Sequence, residues 1–219
     1  IEASELDLSQ IRRCKVFNYT PLSFEFDYPI AKAAELALAE AHSAGVMTAF
    51  DSNYRFPYED MKVYHAVQDA IYSAQILKLS QDDIRYFMKE ENVFSACEKL
   101  LAGNAKIVAF TMGTSGSLLY THKGWSYRPA YRVNALDTTG AGDSFMGALI
   151  YLLTHETDNI EELSVLDLER IGDFCNACAA ASTMKRGSLL VMPTLSQIEH
   201  VLKTAPRIET QFDKIHKTF

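Results

Sequence analysis

Residues 134–145 read NALDTTGAGDSF and run directly into an apolar stretch at 145–153. Gly140 and Gly142 flank Ala141, so the backbone can turn sharply there and present successive N–H groups to an anion, with the positive end of the following helix behind them. The spacing predicts a helix over 141–155 that opens on a cradle for a phosphate or an oxyanion. Two common phosphate motifs are excluded. The third glycine of a dinucleotide fingerprint would fall on Phe145, and no Gly-Lys pair follows to make a P-loop. The other glycine-rich run, GTSG at 113–116, misses the nucleophile-elbow pattern by one residue. Asp143 falls in the first turn of the helix, where the dipole favours an ionised carboxylate. On the residues alone two roles stay open for it. It is either a helix-capping residue or a base that accepts a hydroxyl proton while the cradle neutralises a transferring phosphoryl group.

Working outward from this stretch, β-branched or apolar runs at 15–19, 46–50, 76–79 and 107–111 recur about every thirty residues, the period of βαβ units. Helical spacing fills the gaps at 29–43, 58–73 and 81–101, with Gly45 and Gly103 as stop signals. Two short strands at 117–121 and 125–131 predict a hairpin. Helices are expected over 167–184 and 195–203. The alternation implies an α/β fold with a mostly parallel sheet covered on both faces. No repeat, low-complexity tract or linker interrupts it, so a single domain over 1–219 is expected.

The composition narrows the function classes. The chain has 219 residues, 48% hydrophobic and 22% charged, as in an ordinary globular protein. Its net charge of −7, from 21 basic and 28 acidic side chains, is the wrong sign for phosphate neutralisation and argues against nucleic acid as a partner. The apolar run at 145–153 is too short to span a bilayer, and the first residues lack a signal-peptide pattern, so no membrane partner and a cytoplasmic location are expected. Cys14, Cys97, Cys175 and Cys178 are too scattered for a disulfide framework. The C-x-x-C spacing of Cys175 and Cys178 has no second pair beside it, and a buried structural role is expected for both.

DTTGAGDSF at 137–145 resembles the C-terminal signature of the ribokinase, or PfkB, family of carbohydrate kinases. The resemblance extends along the chain. FDSNYR at 50–55 is similar to a segment of bacterial fructokinases and 2-keto-3-deoxygluconate kinases. LKLSQDD at 77–83 matches the family's metal-organising element, TMGTSG at 111–116 its nucleotide loop, and NACAAASTMKRG at 176–187 its adenine-side helix. This likeness implies a three-layer α/β/α fold of ribokinase type and an ATP-dependent sugar kinase, with fructose as first substrate and 2-keto-3-deoxygluconate as second. It implies Asp143 as catalytic base, with Gly140, Ala141 and Gly142 as the anion hole. Thr111, Gly113, Gly116 and Asn176 would bind ATP, and Arg55 the substrate. Asp83 would hold Mg²⁺ through water, and Asp137 and Thr139 a monovalent cation such as K⁺, an oxygen-ligand task.

Several positions depart from the family pattern. Ser80 stands where the family has Asn, and Asp83 where it has Glu. Lys78, beside that turn, reads as either a phosphate contact or a solvated strand-end lysine. Nothing in the chain resembles the family's N-terminal sugar-binding and lid portion, so the fold is expected to be N-terminally incomplete, and the full-length protein to be a homodimer. That missing part leaves a rival expectation, a non-catalytic nucleotide-binding module.

Overall fold

The computed structural model of the chain describes residues 1–24, 28–53, 60–157, 159–187 and 192–210. The backbone gathers into two compact units, Ile1–Ala109 and Phe110–Phe219. Among the described residues six strands follow one another in sheet order β1-β2-β3-β4-β5-β6. They are β1 (Val16–Tyr19), β2 (Met47–Asp51), β3 (Ile76–Ser80), β4 (Ile107–Thr111), β5 (Ser117–Thr121) and β6 (Gly124–Arg128). β1, β2 and β3 pair in parallel, with Val16 opposite Met47 and Phe50 opposite Leu77, whereas β5 and β6 form the antiparallel hairpin. The sheet is therefore mixed, its parallel part and its hairpin falling where the period and the turn residues placed them.

In the first unit a 3-10 turn at Ala3–Glu5 and a short helix, α1 (Leu8–Arg13), precede β1. The remaining helices of this unit are α2 (Pro29–Ser43), α3 (Met61–Ser73), α4 (Gln81–Asp83) and α5 (Val93–Leu101). Proline opens α2, and its buried stripe is all alanine, at 31, 33, 37 and 41, so a helix without large side chains can lie close to its neighbours. Gly45 follows it at φ +69°, the left-handed conformation that glycine adopts most easily. Phe50, Ile76, Leu77 and Ile107 are fully buried in the strands.

The helix expected over 81–101 is not continuous. α4 passes into a π-helical turn at Ile84–Met88, Lys89 takes a left-handed φ of 52°, and the chain restarts at α5. Local polar groups cause the break. The Asn92 side chain accepts the N–H groups of Phe94 and Ser95, capping a new helix. The Glu90 carboxylate gathers the Lys99 ammonium at 2.6 Å, the Ser95 hydroxyl at 2.9 Å and two backbone N–H groups, and these contacts, Lys99 first, hold it down to about 2.

Lys78 also differs from either sequence expectation. It is 7% exposed, and its Nζ lies 2.7 Å from Asp51 Oδ1, in the register where Asp51 pairs with Lys78 across β2 and β3. The ammonium is thus a core ion-pair partner. The same carboxylate oxygen accepts the N–H of Asn53 at 3.2 Å, which holds that residue at φ 36° just past the strand.

The helices of the second unit are α6 (Ala141–His155), α7 (Val165–Ser182) and α8 (Leu195–Thr204). α7 packs on α6, β5 and β6 through small side chains, Ala177, Cys178 and Ala181 among them. Burial pushes the Cys178 thiol up to about 11 and that of Cys97 to about 12, and raises Cys175 well above its ordinary value. At pH 8 these three thiols are both shielded and protonated, so the folded chain is expected to expose one fast-reacting thiol, Cys14, to a thiol reagent and all four after denaturation. Three or more fast thiols in the native chain would contradict this packing. Among the described residues no helix is long and apolar enough to cross a membrane.

Candidate active site

The second unit contains a cavity of about 420 Å³. Its floor starts where β4 ends. From Thr111 the chain enters a tight turn at Gly113–Ser115, closed by the Met112 N–H on the Gly116 carbonyl at 2.9 Å. Gly116 sits at φ +95°, and a Cβ there would lie 2.1 Å from the Arg128 carbonyl oxygen and 2.7 Å from Pro129 Cα. Only glycine allows the turn to press against the end of β6. Gly113 also has positive φ, but its Cβ direction faces open space, which leaves room for a ligand to approach the backbone.

The opposite wall is the start of α6. Gly140 is the N-cap at φ 80° and offers no side-chain cap. Among the described residues the N–H groups of Gly142 and Asp143 meet no acceptor, while that of Ala141 donates to the Thr138 carbonyl at 3.2 Å. Open first-turn donors and the helix dipole together make an anion site. Ala141 and Gly142 line the cavity, and so does Phe145, one turn further. Asp143 is exposed beside them. It stands at the third helical position, where a capping carboxylate would reach back to the N-cap N–H, and it makes no such bond among the described residues.

Asn176, on α7, is 6% exposed and also lines the cavity. Its amide donates to the Arg128 carbonyl at 2.9 Å, so it fastens the end of β6 as well as bordering the space. Asp137 is not at the cavity lining. Its two carboxylate oxygens accept the N–H groups of Thr139, at 2.9 Å, and Gly187, at 3.1 Å. These bonds, that of Thr139 first, hold its carboxyl below the usual range and staple the segment before α6 to the loop after α7. Thr139 is exposed. Further cavity walls come from Ala179 and Ala180 on α7 and Thr183 just past it, all within the 176–187 segment expected on the adenine side, and, unnamed by sequence reasoning, from residues 130–133, Ala135 and Ile208. The repeated alanines of α7 were the available signal, since small side chains on a cavity-facing helix leave space. Nothing local marked Ile208.

In the first unit, Asp83 is buried in a reciprocal cap with Ser80. Its Oδ2 accepts the Ser80 N–H and hydroxyl, each at 2.6 Å, and its Oδ1 is buried with no hydrogen-bond partner among the described residues. One spare carboxylate oxygen suits a divalent cation reached through water. Direct protein ligation has no support, because no three His, Cys, Asp or Glu side chains come together as a metal site among the described residues. Arg55 lies outside the described residues.

The sequence profile described as pfkB family carbohydrate kinase matches residues 9–195. This chain belongs to the PfkB family of carbohydrate kinases. Among its relatives, fructokinase-2 of Solanum lycopersicum is 31% identical over 206 residues, covering 91% of this chain and 61% of the relative. The PfkB chain thus spans about three fifths of the length of the curated relatives it matches. Its fold is that of a fructokinase from Xylella fastidiosa solved with bound ATP, with a TM-score of 0.80 and 21% identity over 93% of this chain and 66% of that one. A fructokinase from Vibrio cholerae O395, solved with fructose, ADP and calcium, superposes with a TM-score of 0.76 at 22% identity over 90% of this chain and 65% of that one. The ribokinase-like architecture expected from the motifs is therefore the observed one.

Proposed function

We propose that this chain carries the nucleotide-binding and catalytic portion of an ATP-dependent sugar kinase that phosphorylates fructose. One observation carries the reading: an exposed carboxylate, Asp143, follows directly on open first-turn N–H groups at a helix start whose Ala141 and Gly142 line a cavity of about 420 Å³. In-line phosphoryl transfer asks the protein mainly for position and charge stabilisation, with a weak base on the acceptor hydroxyl. Asp143 accepts that proton. The turn at Gly140, Ala141 and Gly142 is the anion hole that neutralises charge building on the transferred group; the Ala141 N–H is held by the Thr138 carbonyl, so the Gly142 N–H, with that of Asp143 beside it, is the open donor. Thr111, Gly113, Gly116 and Asn176 hold the ATP, Gly113 letting its phosphates come close to backbone and Gly116 letting the turn pack on the end of β6.

Asp83 would hold Mg²⁺ through a water on its spare oxygen; the ion, when bound, offsets the negative charge of the phosphates. Asp137 and Thr139 would offer oxygen ligands to K⁺ beside the anion hole, and Arg55 would orient the sugar. Fructose is favoured because the relatives that match along the chain are named fructokinases.

Mixing the chain with ATP, Mg²⁺, K⁺ and a panel of sugars tests this reading. ADP release that depends on fructose is the expected result. ATP binding without turnover on any sugar would overturn the kinase reading in favour of a nucleotide-binding module.

A further inference from the structure

Past α8 the chain turns back along the cavity. The Arg132 N–H donates to the Pro206 carbonyl and the Ile208 N–H to the Ala130 carbonyl, both at 2.8 Å, and Tyr131 and Arg207 form an antiparallel bridge. The Tyr127 hydroxyl and Thr210 Oγ1 lie 2.6 Å apart further along. Ile208 and Tyr131 thereby become neighbouring parts of one cavity wall.

The side chain of Arg207 binds this strap on three sides. Its guanidinium carbon lies 3.7 Å from the centre of the Tyr131 ring, Nη1 donates to the Pro129 carbonyl at 2.9 Å, and Nη2 is 2.6 Å from Asp173 Oδ1. Asp173 is in turn gripped by Arg128 in a two-pronged contact, Nε to Oδ1 at 2.6 Å and Nη2 to Oδ2 at 2.8 Å. A planar fork is what allows one cation to serve a ring, a carbonyl and a carboxylate together. The pfkB profile match ends at residue 195, so Arg207 and Ile208 lie beyond the part of the chain shared with the family profile.

We infer that Arg207 is a positioning residue for nucleotide binding, clamping residues 205–210 against 127–132 so that Ile208 and Tyr131 present a fixed apolar wall to the base of the nucleotide. This rests on the reading of the cavity as the nucleotide site. The shape of that wall depends on a side chain that need not touch the ligand, and an aromatic base gains most from a wall that does not have to be ordered on binding.

The test compares the full chain with Arg207→Met, which keeps the apolar stem and removes the fork. ATP affinity is measured by calorimetry per folded protein, and exchange of the Arg132 and Ile208 amide protons by NMR or mass spectrometry. A Kd for ATP raised about tenfold or more, with both amides exchanging faster, is expected. Arg207→Lys, which keeps charge and folding but cannot serve three partners, is expected to recover only a small part of the affinity. If the native chain binds ATP and both variants bind it equally well, the inference is overturned, even where Arg207→Met lowers the unfolding temperature. A native chain that binds no ATP overturns the nucleotide reading itself, and the inference with it.

Discussion

Asp143→Asn is expected to lower kcat for fructose phosphorylation by about a hundred- to ten-thousand-fold while ATP affinity stays within about twofold of the native value. The amide has nearly the same shape and cannot accept the hydroxyl proton. The side chain is exposed and caps nothing among the described residues, so its replacement removes no fold contact. Thermal unfolding should therefore change by no more than the lost dipole interaction, about 0.3–1 kcal/mol, which separates chemistry from stability. Steady-state kinetics with fructose varied at saturating ATP provide the measurement. Turnover close to native would remove Asp143 from the role of base and leave the cradle as an anion site without a proton acceptor.

Lys78→Met carries the largest expected effect on stability. The ammonium and the Asp51 carboxylate are almost fully inside the protein, 9% and 3% exposed, at 2.7 Å. Removing the cation takes the Lys78 contact from a carboxylate that stays buried, a change that costs about 3–5 kcal/mol, on the order of 10 °C in unfolding temperature for a chain of this size. Urea unfolding of the variant against the native chain measures it. Replacing both partners with apolar residues of similar volume should recover most of the loss, because the penalty comes from keeping a carboxylate buried without its cation rather than from losing the pair. A loss under about 1 kcal/mol in the single variant would mean that water reaches Asp51 and that the pair is not a core element.

The same pair illustrates a limit of sequence reading. Lys78 follows Leu77 and precedes Leu79 in a short strand, and a lysine in that place is ordinarily solvated at its tip. Its burial follows from Asp51, twenty-seven positions earlier, arriving opposite it when β2 and β3 pair in parallel. Residues 81–101 teach a related lesson. Their apolar spacing was helical throughout, yet Asn92 and Glu90 offered the backbone better local bonds than a continuous helix would. Polar capping groups inside a periodic stretch were a visible warning. The turn at 134–145 and the helices at 29–43 and 141–155 were legible to the residue, since glycine conformation and 3.6-residue spacing act over a few positions.

By itself, then, the sequence determined the strand and helix alternation, the hairpin, the family, and the segment that places Asp143 at a helix start. These are short-range consequences of backbone sterics and side-chain period. Tertiary structure alone decided that the start of α6 has no side-chain cap among the described residues, that Lys78 is buried with Asp51, and that Arg207, past α8, braces Tyr131 and Asp173. Each of those depends on charges and carbonyls far apart in the chain meeting away from water, where an unmet partner is costly, and no local pattern records which distant group will be there.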